Sequence, residues 1–170
     1  MQNEFVELMF SFDKHIFIGY AALLVTAVII EKRLSSISTA FFTICCWQAL
    51  SVALIPFLYD LASNEGILYK FFWYGTWTLS NLFFIWMIYQ FHLMQKLRAS
   101  SIAIAVSMLI LLNTLIQVLD FIDRATANSG LMANVYQLFI PASNIAIIPM
   151  VIYLWCYEYR KNIHIAAAGA

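Results

Sequence analysis

The stretch "IAIAVSMLILLNTLIQVL", residues 102–119, runs for eighteen residues without one charged side chain. A helix advances about 1.5 Å per residue, so about 20 residues cross a bilayer core about 30 Å thick. The stretch therefore predicts a transmembrane helix. One carboxamide, Asn113, lies inside it, and lipid offers no hydrogen bond to such a group. We therefore expect Asn113 to face other protein groups.

The composition of the whole chain agrees with this interpretation. Of its 170 residues, 64% are hydrophobic and 11% are charged, and the mean hydropathy is +0.83. Soluble proteins are about half apolar and about a quarter charged, and a small soluble domain cannot bury so much apolar surface. The sequence thus predicts an all-α, polytopic transmembrane helix bundle whose first partner is the lipid bilayer.

Five stretches are long and apolar enough, or nearly so, to cross a membrane. They are residues 16–30, 37–59, 71–94, 102–119 and 131–157. Only short connectors separate these five spans. The sequence therefore predicts one transmembrane domain over residues 1–170, with residues 158–170 as a tail.

The basic residues predict an orientation. Six of them follow spans one, three and five, and three lie at the opposite ends of the spans. The two sets are Lys32, Arg33, Lys96, Arg98, Arg160 and Lys161, and Lys14, Lys70 and Arg124. Basic connectors favour the cytoplasmic side. We therefore predict a cytoplasmic (inner) membrane protein with its N-terminus outside, its C-terminus in the cytoplasm, and most acids, including Asp13 and Asp120, at the outer face.

The chain also contains a weak internal repeat. The pairs that a shift of 63 residues brings together include Ser80-Asn81 with Ser143-Asn144, and Asp60 with Asp123. With one residue of slippage, Gly66 meets Gly130. Spans two–three and four–five would then form a parallel repeat of two helical hairpins. Coincidence is the competing explanation, because hydrophobic helices resemble one another.

Spans two to five each carry one carboxamide at a similar depth. These residues are Gln48, Asn81, Asn113 and Asn144, and the polar residues nearest them include Thr78, Ser80, Gln117 and Ser143. In one interpretation they are interhelical hydrogen bonds that hold the bundle together. In the other they line a polar cavity for a small solute or a weakly held ion.

Three prolines bear on the choice between these interpretations. Pro141 and Pro149 flank Asn144 in span five, and Pro56 lies in span two. Proline lacks an amide proton, so each is expected to kink its helix and leave a carbonyl group unpaired near Gln137, Ile145 or Val52. Such broken helices line the binding sites of many transporters.

The sequence offers no chemistry that predicts an enzyme. The central part of each predicted span lacks Asp, Glu, Lys and Arg, which disfavours a proton relay or ion coupling. The three histidines fall at different depths, and no known catalytic or phosphate-binding motif occurs. We therefore predict no catalytic residue, no cofactor, no metal site and no nucleic-acid partner.

Span one carries a stripe of mostly small residues at helical spacing, formed by His15, Gly19, Ala22 and Thr26. Small residues let two helices approach closely. The stripe is predicted either to pack on its own bundle or to dock another subunit, with Gly19, Ala22 and Thr26 as the contact face.

Taken together, these features predict a small, non-enzymatic subunit or regulator of a membrane assembly. Such a protein works through helix–helix contacts, with other membrane-protein subunits or a second copy of itself as partners. One alternative is a channel or carrier for a small polar solute or ion. Another is a membrane sensor whose basic tail, residues 158–170, signals into the cytoplasm.

Overall fold

The computed structural model describes the backbone of residues 2–32, 35–64, 66–127 and 129–168. Side chains are described for residues 13–32, 35–64, 66–127 and 129–160. The predicted basic residues Arg33 and Lys161 lie outside the described side chains.

The described chain forms five α-helices and no strand. They are α1 (Gln2–Glu31), α2 (Ser36–Ala62), α3 (Ile67–Met94), α4 (Ser101–Ala125) and α5 (Leu131–Ala168). The all-helical prediction is confirmed, but the helices extend beyond the predicted spans. α1 begins well before residue 16, and α5 continues through most of the predicted tail.

Four of the helices are long and apolar enough to cross a membrane. The qualifying segments are Asp13–Glu31, Ser36–Ala62, Ser101–Ala125 and Leu131–Arg160. This finding supports a membrane protein. The fifth helix, α3, is long enough but does not reach the same hydropathy, because its three tryptophans and three tyrosines are less apolar than aliphatic side chains.

The ends of the helices follow from local chemistry. Ser35 and Ser100 cap α2 and α4, each accepting a hydrogen bond from the backbone N–H three residues later. Gly66 (φ 120°) and Gly130 (φ 75°) immediately precede α3 and α5, in backbone conformations that glycine adopts most easily. The matching caps lie 64 or 65 residues apart, close to the 63-residue shift of the sequence repeat.

Each helix packs against its neighbour in the chain, and α5 returns to contact α1. Because the connectors are short, successive helices run in opposite directions. We call the half of the bundle that contains the first residues of α1, α3 and α5 and the last residues of α2 and α4 the upper half. The lower half contains the last residues of α1 and α3 and the first residues of α2 and α4.

The hydrophobic core occupies the lower half. Its buried members are Ile16, Tyr20, Ala27, Ala40, Phe41, Ile44, Ile88, Ile102, Ala103, Val106, Ile110, Ile147 and Val151. All five helices contribute to this one cluster, which we call the apolar plug. Above it, each helix contributes a buried or half-buried polar side chain, and these define the candidate site: Asp13, Gln48, Asn81, Asn113 and Ser143.

Candidate functional site

Asn81 joins three helices at the centre of the bundle. Its side-chain carbonyl Oδ1 accepts a hydrogen bond from Trp47 Nε1 of α2 at 3.0 Å. Its Nδ2 donates to Gln117 Oε1 of α4 at 3.3 Å. Asn81 is 1% exposed. The carboxamide of α3 therefore lies inside the bundle and bonds to both neighbouring helices.

Asn113 performs a similar role between α4 and α5. Its Oδ1 accepts a hydrogen bond from Ser143 Oγ at 2.8 Å, and that hydroxyl also lies 2.8 Å from the Ile140 carbonyl. The other half of the Asn113 amide differs, because its buried Nδ2 has no hydrogen-bond partner. Asn113 is 1% exposed, so this donor lies in the interior of the bundle.

Gln48 lies at the middle of α2 and bonds to α1. Its Nε2 donates to the Asp13 backbone carbonyl at 3.4 Å and to the Asp13 carboxylate at 3.3 Å. Its Oε1 is buried without a partner. The sequence had placed Asp13 beyond the end of span one. The structure instead puts this carboxylate beside the amides, since α1 begins upstream.

Asn144 belongs to the same level on α5. Its backbone carbonyl accepts a hydrogen bond from the Tyr20 hydroxyl of α1 at 2.9 Å, while its side-chain Oδ1 is buried and unpartnered. The prolines were predicted to free carbonyls near Gln137 and Ile145. A side chain of α1 instead reaches the carbonyl next to Ile145, and α5 continues unbroken through Pro141 and Pro149.

The remaining predicted site residues lie outside this network. Thr78 and Ser80 are half-buried on α3, and neither makes a hydrogen bond to the amides. Pro56 lies on the exposed side of α2, which is also continuous. These residues therefore do not contribute to the candidate site.

The predicted docking stripe of span one divides between two environments. Gly19 faces α5 so closely that a Cβ atom added to it would lie 3.2 Å from Ile148 Cδ1. Ala22 and Thr26 are exposed on the outside of the bundle. Only the first of the three positions therefore serves the packing of this bundle.

An ion pair with a buried carboxylate lies at the upper end of the network. Asp120 is fully buried and accepts hydrogen bonds from the Tyr74 hydroxyl and from Arg124 Nε, the latter at 3.1 and 3.2 Å. The sequence grouped Asp120 with the acids of the outer face, and the structure buries its carboxylate near the upper end of α4, where Tyr74 of α3 contacts it. Asn113, Gln117 and Asp120 follow each other at intervals of four and three residues, so extending the polar stripe by one step would have found it.

A second polar cluster lies at the opposite end, below the apolar plug. His92 Nδ1 donates to the Ile88 carbonyl at 2.6 Å, and Nε2 is hydrogen-bonded to the Ser36 hydroxyl, also at 2.6 Å. The backbone N–H of Ser100 donates to Ser36 Oγ at 2.8 Å. This cluster ties together the lower ends of α2, α3 and α4.

A groove of about 710 Å³ lies on the outer surface of α4 beside α5. Its lining is almost entirely apolar and consists of Ala105, Met108, Leu109, Leu111, Leu112, Thr114, Leu115, Val118 and Met150. The hydroxyl of Thr114 already bonds to the carbonyl of Ile110. The groove therefore suits acyl chains or apolar side chains, and the polar layer is a separate feature.

The described residues contain no group of three or more His, Cys, Asp or Glu side chains placed to hold a metal ion. Comparisons with protein-family models, curated proteins and solved structures found no match to this chain. The fold therefore defines the protein only as an all-helical bundle with four helices suited to a membrane.

Proposed function

We propose that the chain crosses a cytoplasmic membrane five times, with its N-terminus outside. The supporting observation concerns α3. It contacts its neighbours along its whole length, through Tyr74 near the top, Asn81 at the centre and His92 near the bottom. α2 and α4 are both apolar enough to span a bilayer. This pairing supports α3 crossing the same thickness as its two neighbours.

The described charges support the orientation. Four basic residues lie at the lower end of the bundle: Lys32, Lys96, Arg98 and Arg160. Because basic residues favour the cytoplasmic side of a membrane, the lower end is assigned to that side. At the upper end, Arg124 is already paired with the buried Asp120. Epitope tags at the two termini test the topology in intact cells. The proposal predicts that they lie on opposite sides, and tags on the same side would contradict it.

For the activity, we propose a non-enzymatic subunit or regulator of a membrane assembly that works through helix contacts. The observation that carries this proposal is the apolar plug, to which all five helices contribute buried side chains. The titratable groups of the interior are also engaged within the bundle, as in the Asp120–Arg124 pair. The outer faces of the helices are then the surfaces that would contact other subunits.

The exposed positions of the α1 stripe provide a test. Ala22→Trp places a bulky ring on the proposed contact face, and Ala49→Trp places the same ring on an exposed position of α2. Both proteins are purified in mild detergent and the mass of the resulting particles is measured. We expect a larger particle for the natural chain and for Ala49→Trp, and a smaller one for Ala22→Trp. A lone protomer in all three preparations would overturn the proposal.

A carrier or channel for a small polar solute is the second candidate function. It is favoured by the unpartnered atoms of Gln48, Asn113 and Asn144, which could contact a solute in the membrane. The plug would then have to open during transport. The flux of a small polar solute into proteoliposomes tests this function. Asn113→Leu is the variant, and Asn134→Leu, at an exposed position, is its control. No flux above that of empty liposomes would exclude it.

A further inference from the structure

The polar layer contains hydrogen-bonding capacity that the protein does not use. Four buried side-chain atoms among the described residues have no partner, and three of them are amide atoms of this layer. They are the acceptors Gln48 Oε1 and Asn144 Oδ1 and the donor Asn113 Nδ2. A buried polar group without a partner costs about 1–3 kcal/mol, and buried polar sites in proteins are usually filled by water or a ligand.

The three residues occupy equivalent positions relative to the apolar plug, and we refer to these positions as one level. Each amide is three or four residues above a member of the apolar plug on its own helix, namely Ile44, Ile110 and Ile147. One helical turn separates residues at this spacing. α1 contacts this level through two residues. Asp13 bonds to Gln48, and Tyr20, two turns further along, bonds to the carbonyl of Asn144.

We infer that this level is a binding site for a small neutral molecule that carries both hydrogen-bond donors and an acceptor, such as a primary amide or urea. Two N–H groups of the ligand match the acceptors on Gln48 and Asn144, and its carbonyl matches the donor on Asn113. The Asp13 carboxylate accepts from Gln48 and is not among the unpartnered atoms, so the ligand would bond to neutral amide groups. A charged ligand would lose its hydration without compensation.

The apolar plug lies below this level, on the side of the lower polar cluster. The buried side chains between this level and the lower polar cluster are mainly apolar. A ligand held there would therefore act as an effector that changes the packing of α1, α2, α4 and α5. This inference rests on the proposed role as a regulator and gives that role a class of effector.

Nuclear magnetic resonance of the ¹⁵N-labelled side-chain amides in detergent micelles tests the site directly. The probes are urea and acetamide, with guanidinium and acetate as charged molecules of nearly the same shape. We expect the signals of Gln48, Asn113 and Asn144 to move and saturate with at least one neutral probe. The charged probes should require at least tenfold higher concentrations.

Two variants separate binding from general effects of the probes. Asn113→Leu removes the donor and should weaken binding about fivefold or more, the effect of one hydrogen bond. Asn134→Leu, on the exposed side of α5, should leave it unchanged. Circular dichroism checks that both variants are folded. Equal responses to charged and neutral probes, water contacts without any saturable response, or no response at all would each overturn the site. The mass of the purified particles is measured separately and tests the proposed subunit role, so that failure of the binding site and failure of the subunit role can be distinguished.

Discussion

The upper and lower halves of this bundle are held together by different interactions. In the lower half, side chains from all five helices form one apolar cluster, in which the ring of Phe41 packs edge-on against Trp155 at 5.7 Å. In the upper half, hydrogen bonds such as Trp47–Asn81 and Ser143–Asn113 connect the helices. The change occurs within a single helical turn.

The contrast suggests a division of labour. A close-packed apolar interior tolerates changes in volume or polarity poorly. Hydrogen bonds between membrane helices contribute about 0.6 kcal/mol each on average, because an unfolded chain in the membrane also finds partners. We therefore expect the lower half to supply most of the stability and the upper half to allow rearrangement. Four substitutions, in order of decreasing effect, test this difference.

Ile110→Asn should have the largest effect. Ile110 is 1% exposed in the apolar plug, so the substitution removes its packing and buries an unpartnered amide. We expect the free energy of unfolding to fall by about 4 kcal/mol or more. Asn113→Leu, one turn higher on the same helix, is the matched change and should cost less than about 1 kcal/mol. Unfolding by denaturing detergent measures both, and similar losses would contradict a difference between the halves.

Asp120→Ala should have the next largest effect and lower the free energy of unfolding by about 3 kcal/mol. It leaves Arg124 and the Tyr74 hydroxyl without their shared acceptor in the upper half. Adding Arg124→Ala should restore part of the loss, because the unpaired charge is then gone. The same unfolding assay gives the interaction energy of the pair. If the double variant loses as much unfolding free energy as the two single variants added together, the ion pair does not stabilise the upper half.

Asn81→Leu should lower the free energy of unfolding by about 1–2 kcal/mol, because Trp47 and Gln117 both lose their hydrogen bond to Asn81. A double-mutant cycle with Gln117→Leu isolates one of these bonds. We expect a coupling energy of about 0.6 kcal/mol, the average for hydrogen bonds between membrane helices. A coupling energy of zero would show that the two amides do not interact.

Gly19→Ala should have the smallest effect. The added methyl group lies 3.2 Å from the end of the Ile148 side chain, which can move by a few tenths of an ångström. We expect the free energy of unfolding to change by less than about 0.5 kcal/mol. Ala22→Ser, on the exposed part of the same stripe, provides a reference for a change that touches no other helix. A large loss for Gly19→Ala would indicate a much tighter contact between α1 and α5.

Much of the fold could be predicted from hydropathy alone. Four membrane-length helices and the all-helical class follow from long apolar stretches, which a bilayer selects for. The span over residues 71–94 was also predicted and corresponds to α3, although tryptophans and tyrosines such as the buried Trp77 lower the hydropathy of this helix. Helix ends were missed, because a helix continues past the last apolar residue when nothing terminates it.

The members of the polar layer could be predicted, but their pairing could not. Periodicity indicates which face of a helix a residue occupies, whereas the partner depends on how the helices are rotated against one another. Trp47 shows the limit, since its buried indole N–H gave no sign in the sequence that it would meet Asn81. Asp13 was excluded only because α1 was predicted to begin too late.

Contact with water is the most direct test of the division between the halves. Transfer of magnetisation from water to protein amides, recorded in micelles without added solute, compares the Asn113 side chain with the backbone at Val106 and Ile110. These positions lie on the same buried face of α4. We predict a clear signal from water at Asn113 and none at the two lower positions. Equal signals at all three would contradict an interior that is polar above and sealed below.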